Sequence, residues 1–317
     1  MVLSLVLLLV GFVALIVGAD KMVEGASALA MKYGIPPIVI GLTIVAFGTS
    51  APELVVNVFA SINKSSEMVL GNVLGSNIFN VLGILGICGI IYPLSVKSNT
   101  TWIEIPLSFL AAVAVLVITQ DLWLDGSVAN YISRGDGIIL LLFFSIFMVY
   151  NITVSLSPQE ADESDALVLP LGKSLLWIAL GLGGLVLGGK LIVDNAVSIA
   201  EGFGLSERII GLTIVSIGTS LPELATSVAA VRKRKLDIAI GNVVGSNIFN
   251  IFFVLGVSAV VSPFEINESS LVDILLNVLA GLLLFVFVFT GKGRRLDRWE
   301  GIVFLLLYAV YMVYLLV

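Results

Sequence analysis

The sequence has no histidine and a single cysteine, Cys88. Without histidine it lacks the usual proton carrier near neutral pH, and a zinc site built on imidazole is excluded. One cysteine excludes an intrachain disulfide. Charge is scarce too: Asp, Glu, Lys and Arg make up 12% of the chain, while hydrophobic residues make up 59%. A soluble domain carries about a quarter charged residues, so this chain reads as an integral membrane protein. Its net charge of -6 says little about partners, because most charges must lie in connections. No basic residue precedes the first apolar run, Val2 to Gly18. A secretory signal wants one there, so the run is expected to stay as a first membrane helix.

A helix needs about 20 apolar residues to span a bilayer. That ruler gives ten spans, near 2–19, 36–61, 67–92, 101–119, 136–155, 173–195, 207–231, 237–262, 271–290 and 299–317. The longest polar linker, SLSPQEADESDALVLP at 155–170, sits at the midpoint and is too short to hold a folded domain. Its acidic stretch, Glu160 to Asp165, reads as a solvated connection.

The chain repeats itself about that midpoint. Residues 41–80 read GLTIVAFGTSAPELVVNVFASINKSSEMVLGNVLGSNIFN, and residues 211–250 read GLTIVSIGTSLPELATSVAAVRKRKLDIAIGNVVGSNIFN. They align without a gap at a constant offset, with more than half the positions identical, which is the mark of a duplication. Upstream the match is weaker, pairing Gly18 with Gly188 and Gly34 with Gly204. Five spans per half is an odd number, so the second copy enters the membrane upside down, a recurrent plan of secondary transporters. The expected fold is therefore all-α and membrane-integral: ten transmembrane helices as two inverted five-helix repeats, 1–155 and 173–317, joined by 156–172.

Basic residues near helix ends favour the cytoplasm. Arg232 to Lys235 and Lys292 to Arg298 fall on one face of a ten-span plan, with Lys32, Lys97 and Lys173. The opposite face holds chiefly Lys64, Arg134 and Arg208. Both termini are then expected outside.

The chemistry sits in GTSAPEL, 48–54, and GTSLPEL, 218–224. Proline has no N–H, so the carbonyl of Gly48 or Gly218 loses its helical partner and the helix kinks or breaks. In lipid a freed carbonyl must find a partner or line a cavity. Around each break stand Thr49, Ser50 and Glu53, matched by Thr219, Ser220 and Glu223. These are hard oxygen ligands that suit Ca²⁺, Na⁺ or Mg²⁺. A carboxylate in the membrane costs roughly 2.5–3.5 kcal/mol on insertion scales and is a functional candidate by default. The repeat should bring Glu53 and Glu223 together near the midplane, where they repel unless a cation lies between them.

In GNVLGSNIFN, 71–80, the residues Asn72, Ser76 and Asn80 share one helix face at i, i+4, i+8. Asn242, Ser246 and Asn250 repeat the pattern, and their oxygens are suited to completing a coordination shell. Asn72 and Asn242 have a plainer reading as bridges between helices. Gly71 and Gly75 suit close helix packing, as does LGLGGLVLGGK at 180–190. Asp20, Glu24, Lys190 and Asp194 read as interfacial charges at the ends of spans one and six. Glu104 reads as a helix-start residue favoured by the dipole.

These paired segments resemble the two alpha repeats of the cation/calcium antiporter superfamily, most closely its prokaryotic sodium/calcium exchanger branch. The resemblance covers the whole ten-span plan and implies ion sites between spans two, three, seven and eight. It implies Ca²⁺ held by Glu53 and Glu223 with the carbonyls of Thr49 and Thr219. It implies Na⁺ held by Ser50, Ser76, Ser220 and Ser246, with Ala46 and Ser216 as backbone contributors, and it implies that spans one and six slide across the core. Relatives can carry aspartate at the positions of Asn80 or Asn250. Here both are asparagine, which leaves two carboxylates at the centre and not three.

The function expected is Ca²⁺/Na⁺ antiport by alternating access across a prokaryotic cytoplasmic membrane. The transported ions are the ligands; no cofactor, nucleic acid or obligate protein partner is expected. The nearest rival is a Ca²⁺/H⁺ antiporter using the same two glutamates. A hydrolase built on Ser50 or Ser220 lacks a nearby histidine or lysine base and would not need two equal copies. A channel would draw rings of ligands from several subunits, whereas this chain supplies a closed pair of half-sites.

Overall fold

The computed structural model describes residues 2–124, 126–156, 169–202, 216–267, 270–290 and 293–316. Most of the expected linker and the start of the span expected at 207–231 lie outside the described residues, as do Arg208 and Gly204. Among the described residues eight helices are long and apolar enough to cross a membrane, or nine if one bent pair counts as a single span.

The helices are α1 (Val2–Tyr33), the bent pair α2 (Pro37–Thr49) and α3 (Ala51–Ile62), α4 (Ser66–Ile91), α5 (Thr100–Ile118) and α6 (Arg134–Leu156). Then follow α7 (Leu171–Gly202), a helical turn Ser216–Thr219, α8 (Leu221–Arg232), α9 (Leu236–Val261), α10 (Ser270–Phe287) and α11 (Arg298–Leu316). Six of the expected spans agree with α4, α5, α6, α9, α10 and α11 to within a few residues. Two short antiparallel ladders close the connections: β1 (Leu94–Ser95) with β4 (Arg295–Leu296), and β2 (Tyr131–Ile132) with β3 (Phe264–Glu265).

Spans one and six run longer than the ruler predicts. Both α1 and α7 have 32 residues, or about 48 Å of helix. Asp20, Glu24, Lys190 and Asp194 therefore lie inside helices and not at their ends. The ruler stops at the first charge, but beyond it Met22, Val23, Ala26 and Ala30 still point inward and are buried. The two acidic groups of α1 share one lysine, with Lys233 Nζ lying 3.1 Å from Asp20 Oδ1 and 3.0 Å from Glu24 Oε1. The two long helices meet along a glycine seam. A Cβ on Gly181 would lie 2.6 Å from the Met22 nitrogen, and one on Gly18 would lie 2.8 Å from the Gly181 carbonyl. No side chain larger than hydrogen fits so close a crossing.

Glu104 does lie near a helix start, but it is buried and does more than offset a dipole. The Tyr150 hydroxyl donates to its Oε1 at 2.5 Å.

α4 and α9 form the centre and are the most buried of the spans. They run antiparallel, as their ends show. Glu67, at the start of α4, accepts from Asn267, just past the end of α9, at 3.2 Å. Lys97, just past the end of α4, is 2.8 Å from Asp237 at the start of α9. In the repeat, 67 corresponds to 237 and 97 to 267, so one pair of positions meets twice with roles exchanged. The connections 62–66 and 262–267 thus share one face, where Lys64, Glu67, Glu265 and Asn267 line a cavity of about 830 Å³. The connections 92–99 and 232–236 share the other, where the Arg234 guanidinium stacks 3.7 Å over the Tyr92 ring.

Candidate ion-binding site

The break expected at the prolines is present in both copies. α2 and α3 meet at 47°. Ser50 (φ -86°, ψ 8°) and Ser220 (φ -92°, ψ 8°) leave the helical conformation at the same place. Pro52 and Pro222 then occupy the first turn of the new helix, where a missing N–H costs least. Glu53 and Glu223 follow in that first turn, and both are completely buried. A second distortion lies beside them. α4 and α9 each widen from a four-residue to a five-residue hydrogen-bond register, over Phe79–Leu85 and Phe249–Leu255. Such wide turns are frequent at functional sites.

Side chains of the two halves bond across to one another at this level. Ser50 Oγ donates to Glu223 Oε1 at 2.8 Å and lies 3.0 Å from Ser246 Oγ. Ser220 Oγ donates to Glu53 Oε1 at 3.2 Å and lies 3.1 Å from Ser76 Oγ. Ser76 Oγ stands 3.5 Å from the same Glu53 oxygen. Thr49 Oγ1 lies 3.1 Å from Asn242 Oδ1 and 3.3 Å from the Ala46 carbonyl. Thr219 Oγ1 lies 3.4 Å from Asn72 Oδ1. Eight of the twelve residues expected at the site thus bond through their side chains here, in separate groups, and Asn80 and Asn250 bond to Asn247 and Asn77 of the opposite half; these groups make up the candidate cluster. Ala46 is held to it by its carbonyl, and Ser216 opens the turn that leads into it.

Four buried oxygens of this cluster have no donor among the described residues: Glu53 Oε2, Glu223 Oε2, Asn80 Oδ1 and Asn250 Oδ1. An unpaired buried acceptor costs about 1–3 kcal/mol, more if charged. Two are carboxylate and two amide oxygens, the kind of ligand a hard cation takes.

Two further residue pairs belong to the cluster and are absent from the sequence-based expectation. Asn57 Oδ1 accepts from Asn72 Nδ2 at 2.7 Å, and its own Nδ2 donates to the Val69 carbonyl at 3.1 Å. In the other half Ser227 accepts from Asn242 Nδ2 at 2.9 Å, and that amide also reaches the Glu223 carbonyl at 3.2 Å. Asn72 and Asn242 are thus the bridges their plainer reading proposed. Asn77 and Asn247, the other pair, join α4 to α9. Their identity in both copies is the signal the sequence offers for them.

Known proteins resemble this chain in sequence and in fold. The sequence pattern of the family described as "Sodium/calcium exchanger protein" matches residues 3–153 and 173–317. This chain belongs to the sodium/calcium exchanger family. It is 39% identical over 277 residues to the inner membrane protein YrbG of Escherichia coli, covering 84% of this chain and 82% of that one. It is 32% identical to the sodium/calcium exchanger MaX1 of Methanosarcina acetivorans over 98% of both chains. Its fold matches the solved structure of the sodium-calcium exchanger NCX_Mj soaked with Na⁺ and Ca²⁺, with a TM-score of 0.84 at 31% identity over 99% of this chain and 98% of that one. The chain is a multi-pass membrane transporter of the exchanger family, and its family and structural neighbours are exchangers and not enzymes.

Proposed function

We propose that this chain exchanges Ca²⁺ for Na⁺ across a prokaryotic cytoplasmic membrane by alternating access. The proposed ligands are Glu53 and Glu223 with the carbonyls of Thr49 and Thr219 for Ca²⁺. For Na⁺ they are Ser50, Ser76, Ser220 and Ser246, assisted by Asn80, Asn250 and the backbone of Ala46 and Ser216. The observation that carries this reading is the set of four buried, donorless oxygens of Glu53, Glu223, Asn80 and Asn250. The family assignment favours Na⁺ over the proton rival.

The physics of exchange follows from burial. With no cation, two unpaired carboxylates would lie in low dielectric, which is strongly unfavourable. Either Ca²⁺ or Na⁺ offsets their charge, and the serine hydroxyls are shared between the halves, so both ions draw on overlapping oxygens. An ion-loaded site can switch sides, and an empty one resists switching. That rule couples the two fluxes and suppresses leak.

The full plan we infer is ten spans in two inverted five-helix repeats, 1–155 and 173–317, joined by 156–172. The antiparallel setting of α4 and α9 supports it. The clustering of Arg234, Lys97, Lys233 and β4 at one face supports a cytoplasmic assignment for that face, with both termini outside. The moving elements are α1 and α7. They pack on each other through glycine, and α7 lays Leu182 over Gly48 and Val193 against Gly218, so it covers both breaks.

Reconstitution tests the reading directly. Proteoliposomes given an outward Na⁺ gradient should accumulate ⁴⁵Ca²⁺, and a pH gradient alone should not drive uptake. Uptake driven only by the pH gradient would overturn the choice of counter-ion.

A further inference from the structure

Asn80 and Asn250 are proposed to offer oxygens to the ions, yet a carboxamide has two ends of similar size and opposite polarity. Turned the wrong way, it would point two N–H donors at a cation. Something must fix the orientation, and the fold supplies it in two mirrored chains of hydrogen bonds.

The Asn77 backbone carbonyl has lone pairs and no hydrogen. Asn247 Nδ2 lies 3.5 Å from it, so Asn247 must turn its NH₂ that way and its Oδ1 the other. That Oδ1 accepts from Asn80 Nδ2 at 3.0 Å. With its NH₂ committed, Asn80 has its Oδ1 left over, and this atom has no donor among the described residues. The second chain runs in reverse. Asn77 Nδ2 donates to the Asn247 carbonyl at 3.2 Å, Asn77 Oδ1 accepts from Asn250 Nδ2 at 3.1 Å, and Asn250 Oδ1 is left donorless. Asn77 is fully buried and Asn247 nearly so, so water does not compete for these bonds. Each chain starts at a backbone carbonyl, whose polarity cannot invert, and ends at a buried oxygen with no donor among the described residues.

We infer that Asn77 and Asn247 are positioning residues that hold the asparagine of the opposite half oxygen-first toward the transported cations: Asn247 for Asn80, and Asn77 for Asn250. This rests on the proposed role of Asn80 and Asn250 as ligands. It adds an outer layer to the site and makes each half depend on the other for the orientation of its own ligand.

The test is a rescue. Asn247→Leu keeps the side chain's size and removes the acceptor, which frees Asn80 to invert. The half-saturating Na⁺ and Ca²⁺ concentrations in proteoliposome exchange should rise about tenfold or more, as losses in an outer ligand layer do, with a smaller change in maximal rate. Asn80→Asp in that background gives the side chain an oxygen at either end, so orientation ceases to matter, and half-saturation should return to within about threefold of the parent. Asn80→Asp alone should bind ions more weakly than the rescued double variant, because its carboxylate would face the Asn247 oxygen. If Asn80→Leu leaves half-saturation unchanged, Asn80 is not a ligand and the inference falls with that reading. If Asn80→Leu weakens binding but Asn247→Leu does not, the ligand role stands and the positioning role is overturned. A loss in Asn247→Leu that Asn80→Asp fails to restore makes Asn247 a packing residue and also overturns it. If Asn247→Leu does not fold, the mirrored set, Asn77→Leu with Asn250→Asp, separates the same outcomes.

Discussion

Ser50 of the first repeat donates its hydroxyl proton to Glu223 of the second, 2.8 Å away. The bond steers one carboxylate oxygen and leaves the other, Oε2, without a donor among the described residues. Each glutamate is thus oriented by the opposite half of the chain. A hydrogen bond to a charged group contributes about 1.5–3 kcal/mol, so Ser50→Ala should raise half-saturation for both ions by about ten- to a hundredfold. Concentration curves of ⁴⁵Ca²⁺ uptake and of its inhibition by Na⁺ check this. Unchanged curves would mean the hydroxyl does not organise the site.

Glu104 and Tyr150 make a second, part-buried bond outside the proposed ligand set. Glu104 Oε1 accepts from Tyr150, while Oε2 has no donor among the described residues. Tyr150→Phe should cost about 1–3 kcal/mol. The check is a lowered melting temperature in detergent alongside unaltered half-saturation for Ca²⁺. A shift in ion affinity with stability intact would place Glu104 in the ion path instead.

The seam between α1 and α7 admits no Cβ at Gly181, where the Met22 nitrogen would stand 2.6 Å away. Gly181→Val should force the helices apart and destabilise by about 1–3 kcal/mol. Exchange should slow far more than half-saturation changes, because the proposed ligands lie on other helices. Flux and half-saturation measured on the same proteoliposomes separate the two effects.

The site is legible in the sequence because the sequence states it twice. A gapless repeat carrying Thr49, Ser50 and Glu53 against Thr219, Ser220 and Glu223 fixes which residues meet, and proline fixes where the helix breaks. Asn77 and Asn247 are not legible in this way, although both copies carry them. One sequence does not say which face of a buried helix meets which neighbour, and their roles emerge only where α4 crosses α9. The lengths of α1 and α7 escape the ruler for a related reason. Asp20 and Glu24 look like the end of a span until Lys233, far along the chain, comes to neutralise them. The wide turns at Phe79–Leu85 and Phe249–Leu255 have no local propensity signal.

The central claim is that two buried carboxylates, Glu53 and Glu223, carry the exchanged cations between them. Sodium-driven ⁴⁵Ca²⁺ uptake by proteoliposomes of Glu53→Gln and of Glu223→Gln tests it most directly, since the amide keeps the shape and removes the charge. The account predicts that uptake is abolished in each variant while the protein still folds. Uptake at the parent rate in both would contradict it.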